Sequence, residues 1–119
     1  MPNPFVHVEL QTSDVEKAKK FYKGLFQWEL QKEPSMDYTL IKVGEGTGGG
    51  MMKNPMPGSP SHWMPYVFVD DVAATLKKAK SLGAKICVEE TKVGEHGEMG
   101  VFIDPTGATL ALWKATMKS

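Results

Sequence analysis

The chain has 119 residues, of which 41% are hydrophobic and 24% are charged, the proportions of an ordinary globular domain. Its 14 basic residues balance its 14 acidic residues, which argues against a nucleic-acid or anionic-membrane partner, and no apolar run approaches the ~20 residues of a membrane span. No secretory signal is visible at the N-terminus, and the single cysteine, Cys87, cannot form an internal disulfide. We therefore expect a cytoplasmic protein in which Cys87 is a buried thiol on a strand.

The first half of the chain predicts a strand, a helix and three more strands. Residues 4–10 alternate as a strand, and apolar residues recur at helical spacing over residues 14–26. Ser13 is the expected N-cap of this helix, and Glu16 completes a capping box. The three short strands that follow, separated by turn signals, are expected at residues 28–33, 37–43 and 47–53.

A proline-rich segment separates the two halves. Residues 54–63 are expected to be a linker, because three prolines and a glycine within residues 54–62 preclude a regular element. The second half predicts a strand at residues 64–69 and a helix at residues 71–82, which ends with Gly83 in the C′ position. Three further strands are expected at residues 85–89, 98–103 and 108–114.

The two halves resemble each other in element order and in spacing, so that His7 aligns with Met64. An internal repeat of this kind indicates two copies of one supersecondary unit. The predicted fold is therefore α+β: one domain, residues 1–119, made of two tandem βαβββ modules at residues 4–53 and 64–114. Two such modules form a mixed sheet that bears a cleft, and equivalent strand positions face into it.

Strand alternation gives the candidate site. In each module the helix covers one face of the sheet, and the other face is left to line the cleft. His7 could then act as a ligand or an acid–base group, or it could be a buried histidine that bonds a neighbour. Glu9 could be its acid–base partner, a second ligand of a rearranged metal site, or a structural hydrogen-bond acceptor. The residues expected to bound a mostly apolar ligand-binding cleft are His7, Glu9, Met52, Met64, Tyr66 and Trp113, with Trp63 and Phe102 nearby.

Several short segments also carry a resemblance. They are His7 seven positions before Asp14, and the segments at residues 21–26, 69–72, 82–84 and 104–107. In order and spacing they resemble the glyoxalase/bleomycin-resistance/extradiol-dioxygenase superfamily, also called the vicinal oxygen chelate proteins. The pattern at residues 63–67 is similar to a glyoxalase-like branch. This resemblance implies paired βαβββ modules and a protein that often works as a homodimer.

The resemblance also implies a divalent-metal site with one ligand from each of four strands. The corresponding positions in this chain are His7, about Gly50, Met64 and Ala111. Glycine and alanine offer no ligand atom, and a methionine thioether suits Cu(I) rather than harder divalent ions. His62 and His96 are expected to be exposed loop histidines. Since a catalytic metal generally needs three protein ligands, we expect no metal and no cofactor.

Two functions of different classes follow from these observations. The first is a metal-free protein that binds a small, largely apolar molecule, as the bleomycin-resistance branch does. The alternative is a divalent-metal-dependent lyase, isomerase or dioxygenase of the glyoxalase type. The missing ligand atoms favour the metal-free binding protein. A metal site made of His7, Glu9 and a ligand from a loop would favour the metal-dependent enzyme. The sequence leaves open whether the chain is an enzyme; a small molecule and a second copy of the chain are the expected partners.

Overall fold

The computed structural model describes residues 2–56 and 58–116, which contain eight strands and two helices. The N-terminal module consists of β1 (Phe5–Thr12), α1 (Val15–Leu25), β2 (Glu29–Lys32), β3 (Thr39–Lys42) and β4 (Gly49–Lys53). The C-terminal module consists of β5 (His62–Phe68), α2 (Val72–Ser81), β6 (Lys85–Val93), β7 (Gly97–Ile103) and β8 (Thr109–Ala115). The predicted α+β fold of two βαβββ modules is confirmed. Within the described residues, neither helix is long and apolar enough to cross a membrane.

Residues 7–64 form one compact unit, the N-terminal unit. Its strands lie in the order β2-β3-β4-β1, with β1 and β4 parallel and the other neighbours antiparallel. One face of this sheet packs against α1. The core there consists of Leu10, Ile41 and Met51, and Ala18 and Tyr22 of the helix pack onto it. The opposite face carries the alternate residues of the same strands, which include His7 and Glu9 of β1.

Residues 65–116, together with residues 2–6, form the C-terminal unit. Residues 2–6 belong to it through a backbone bond in which the Phe68 N–H donates to the Pro4 carbonyl oxygen at 2.9 Å. The strands lie in the order β5-β8-β7-β6, with β5 and β8 parallel and the other neighbours antiparallel. Val72 and Leu76 of α2 pack on Leu112 and close the core on one face.

Both helices begin with an aspartate cap. Asp14 Oδ1 accepts from the Lys17 N–H at 3.0 Å, and Asp71 Oδ1 accepts from the Ala74 N–H at 2.9 Å. The prediction of Ser13 as the first cap was wrong by one residue. A carboxylate at this position also interacts favourably with the positive helix end, which favours Asp14 over the hydroxyl that precedes it. Gly83 follows α2 with φ +103°, so its predicted C′ role is confirmed.

Two further local predictions needed correction. β5 begins at His62, so His62 and Trp63 lie in a strand rather than in the linker. Cys87 is exposed rather than buried. Its neighbour Ile86 packs toward the α2 core, and Cys87 therefore lies on the face of β6 opposite α2.

A turn with a fixed carboxylate starts the last strand. Asp104 Oδ1 accepts from the Thr106 hydroxyl at 2.7 Å, from the Thr106 N–H at 2.8 Å and from the Ala108 N–H at 3.0 Å. These bonds lower the pKa of Asp104, and the bond from the Thr106 hydroxyl has the largest effect. The charged turn fixes where β8 starts and hence which β8 side chains share a face with β5.

Candidate functional site

A tyrosine joins the two polar residues predicted on β1. The Tyr38 hydroxyl lies 2.7 Å from His7 Nε2 and donates to Glu9 Oε1 at 2.9 Å. Glu9 Oε2 accepts from Gln11 Nε2 at 2.7 Å. Only 5% of Glu9 is exposed, so its charge is costly to bury. The two hydrogen-bond donors offset much of that cost. We call His7, Tyr38, Glu9 and Gln11 the phenol network; all four lie in the N-terminal unit.

The bonds of the phenol network define the protonation of His7. The Tyr38 hydroxyl has one proton, which it donates in the hydrogen bond to Glu9. Its oxygen therefore accepts a hydrogen bond from His7, which places the proton of the imidazole ring on Nε2. Burial lowers the pKa of His7 below its ordinary value of 6.5, and the charge of Glu9 opposes that shift to a smaller extent. The imidazole is therefore neutral at pH 7, with Nδ1 as its acceptor nitrogen.

Glycine at position 50 makes room for the phenol. Gly50 pairs with Glu9 in the parallel ladder between β1 and β4, and the ring of Tyr38 lies directly over it. A Cβ atom at position 50 would overlap both the Tyr38 hydroxyl and the Tyr38 ring. Any longer side chain there would displace the phenol from His7 and Glu9. Met52 follows two residues along β4, pairs in register with Gln11 and is partly exposed.

The aromatic residues predicted for the site meet in the C-terminal unit. Tyr66 and Trp113 pack edge to face, with ring centroids 6.3 Å apart and planes at 85°. The parallel ladder pairs Tyr66 with Ala111, which is fully buried. Met64, the last residue of the N-terminal unit, is 5% exposed. The predicted residues thus form a polar group around Tyr38 and an aromatic pair on β5 and β8.

Two aromatic residues expected near the cleft lie elsewhere. Trp63 contacts Tyr22 and Trp28, with ring centroids 5.5 and 6.2 Å away, on the face that α1 covers. Phe102 packs against the core beneath α2. Trp63 and Phe102 each follow or precede a buried residue whose side chain is on the opposite face of the sheet. Alternation along the strand therefore places both aromatic side chains on the face that the helix covers.

The four positions that the fold suggests for a metal do not fit a divalent cation. Nε2 of His7 donates its proton to Tyr38, Gly50 lies beneath the phenol, and Ala111 has no donor atom. Met64 offers only a thioether. Within residues 2–56 and 58–116, no group of three or more histidine, cysteine, aspartate or glutamate side chains could hold a metal ion.

Sequence reasoning missed Tyr38 and Gln11. Gln11 could have been found from strand alternation alone, since it follows His7 and Glu9 at a spacing of two. Gly50 was a signal too, because a glycine inside a strand often marks a close approach by another group. Tyr38 itself precedes β3, and only the tertiary register places it over β4.

The comparisons with known proteins agree with this architecture. The model of the Glyoxalase/Bleomycin resistance protein/Dioxygenase superfamily matches residues 5–112, which span both modules. The chain belongs to this superfamily, and the resemblance inferred from its motifs is confirmed.

Several curated relatives are similar over most of this chain. CFP32 of Mycobacterium bovis, whose name assigns it provisionally to the glyoxylases, is 35% identical over 109 residues, which are 89% of this chain and 42% of CFP32. The anthracycline biosynthesis protein DnrV of Streptomyces peucetius is 29% identical over 89% of this chain and 45% of its own length. The chain thus spans less than half of each of these two relatives.

Solved structures show the same fold at low identity. A hypothetical protein, BH1468 of Bacillus halodurans, superposes with a TM-score of 0.70 at 12% identity, covering 100% of this chain and 99% of that one. Methylmalonyl-CoA epimerase of Mycobacterium tuberculosis superposes with a TM-score of 0.68 at 14% identity, covering 95% of this chain and 88% of that one. At these identities the likeness concerns the fold alone.

Proposed function

We propose that this chain is a glyoxalase/bleomycin-resistance-type protein that binds a small organic molecule without a metal ion. The observation that carries the proposal is the phenol of Tyr38, which lies over Gly50 and is bonded to both His7 and Glu9. A side chain that could ligate a metal from position 50 would need the space of this ring. The chain has instead a neutral hydrogen-bonding group beside the histidine.

The proposed ligand is flat, mostly apolar and partly polar. Binding sites for small molecules combine apolar and aromatic walls with a few polar groups that fix orientation. Tyr66 and Trp113 would supply the aromatic area, and Met52 and Met64 would supply adaptable apolar contacts. The phenol network would orient a polar substituent through His7 and Glu9. We further propose that the protein is cytoplasmic and acts as a homodimer.

The second candidate is a metal-dependent lyase, isomerase or dioxygenase of the glyoxalase type. What favours it is membership of a superfamily that includes dioxygenases, together with relatives named as a glyoxylase and as a methylmalonyl-CoA epimerase. It would require the Tyr38 phenol to leave His7 and ligands to come from residues other than Gly50 and Ala111. The donor set therefore favours the metal-free function.

A ligand screen tests the proposed function. Hydroxylated and carboxylated bicyclic aromatics, titrated into the chain in the presence of a chelator, are expected to quench tryptophan fluorescence saturably. Tyr66→Ala should weaken the best ligand by about tenfold or more through lost stacking area, whereas Lys20→Ala, an exposed change on α1, should leave the affinity unaltered. Affinity that appears only with added divalent metal would favour the second candidate instead.

A further inference from the structure

A pocket of about 290 Å³ lies in the N-terminal unit on the face of the sheet that α1 covers. We propose that it is a separate binding site for one small, neutral, bicyclic aromatic molecule. We call it the tryptophan pocket; its main lining residues are Val8, Trp28, Ile41, Val43, Gly48 and Trp63. Val8 alternates with His7 and Glu9 along β1, so the sheet separates this pocket from the phenol network.

The walls of the tryptophan pocket are two indole rings that neighbouring aromatic rings hold in place. Trp28 and Trp63 lie 6.2 Å apart between centroids, at 77° to each other. Tyr22 stacks on Trp28 at 5.6 Å and meets Trp63 edge to face at 5.5 Å. Trp63 is 38% exposed and Trp28 is partly exposed, so the rings are positioned before any ligand arrives and remain accessible.

The floor of the tryptophan pocket is bare backbone. A Cβ atom at position 48 would come within 2.8 Å of the Ile41 carbonyl oxygen, and one at position 49 would overlap the Val8 carbonyl oxygen. The close approach of the strands thus excludes side chains from Gly48 and Gly49. Because the floor can carry none, the space between the indole rings stays open.

Size and chemistry of the lining define the ligand class. An apolar cavity of about 150 Å³ takes up benzene, so roughly twice that volume suits a fused two-ring molecule. None of the described residues that line the tryptophan pocket is charged, and a charged ligand would lose its hydration without compensation. Thr47 also lines the pocket and carries a hydroxyl group.

Indole is the probe that tests this site. The ¹⁵N-labelled chain is titrated with indole, and the indole N–H signals of its three tryptophans, assigned from single Trp→Phe variants, are followed by NMR. The signals of Trp28 and Trp63 are expected to shift saturably, with a dissociation constant on the order of 10⁻⁴ M, while that of Trp113 stays in place. Saturable shifts confined to the first two signals would support the site.

Matched variants decide whether indole binding in the tryptophan pocket causes these shifts. Thr47→Phe is expected to fill the pocket and weaken indole binding at least tenfold, whereas Glu45→Phe, on the same loop but outside the lining, should bind as the parent chain does. Val43→Phe serves as a second filling variant if Thr47→Phe fails to fold. Shifts that do not saturate, equal shifts at Trp113, or unchanged binding in the folded filling variants would overturn the proposal. So would concentration-dependent shifts of Trp28 and Trp63 without indole, since a second copy would then cover the pocket.

Discussion

Replacing Tyr38 by phenylalanine is expected to lower the free energy of unfolding by about 2–3 kcal/mol, because the change leaves the buried carboxylate of Glu9 without one of its donors. His7 loses its acceptor in the same step. Under the proposed function, affinity for a polar aromatic ligand should fall as well. Urea denaturation and the fluorescence titration measure the two effects. Tyr22→Phe is the matched control and should change stability by less than about 0.5 kcal/mol, since Tyr22 contacts its neighbours through its ring.

A double-mutant cycle makes this prediction specific to the phenol network. Gly50→Ala should displace the Tyr38 ring and so break the bonds of its hydroxyl to His7 and Glu9, the same bonds that Tyr38→Phe removes. The combined variant Tyr38→Phe/Gly50→Ala should therefore lose far less free energy of unfolding than the sum of the losses of the two single variants. Purely additive losses, or a Tyr38→Phe chain as stable as its parent, would show that the phenol network does not hold Glu9 and His7.

Gly49→Ala is expected to have the largest effect on stability, a loss on the order of 3 kcal/mol or more. The added methyl would overlap the Val8 carbonyl oxygen, which is backbone and cannot swing aside, so β1 and β4 must separate there. The bond from the Val8 N–H to the Gly48 carbonyl oxygen, 3.1 Å long, would weaken with them. Urea denaturation measures the loss.

Gly24→Ala provides the opposite control. Gly24 lies in α1, and nothing is within 4 Å of the position where its Cβ would stand. Alanine there should stabilise the chain by about 0.5–1 kcal/mol through helix propensity. If both alanine variants moved stability alike, the close approach of β1 and β4 at Gly49 would be refuted.

The fold was predictable because its signals are local. Strand and helix periods are visible in ten-residue windows, and the aspartates that cap α1 and α2 repeat at equivalent places in the two modules. The misplaced Trp63 has a local cause too. The prolines extended the predicted linker over the start of β5, so Trp63 was left out of the alternation of that strand.

The candidate site was only half predictable because its other half depends on register. His7 and Glu9 follow from alternation along one strand. Tyr38 lies 29 residues from Glu9 in the chain, and their meeting requires the β1–β4 and β3–β4 ladders to align in one particular way. Cross-strand register is set by the packed core beneath α1, which no short window of sequence contains.

Metal content tests the central claim, a metal-free site in which a phenol replaces the missing ligand, most directly. The chain is incubated separately with Ni²⁺, Zn²⁺, Mn²⁺ and Fe²⁺, passed through gel filtration and measured by elemental analysis, with His7→Ala as the matched control. We predict retention below about 0.1 equivalent of each ion in both chains, because one imidazole bonded to Tyr38 cannot hold such an ion against water. Retention of close to one equivalent by the parent chain, lost in His7→Ala, would contradict the account and favour the metal-dependent enzyme.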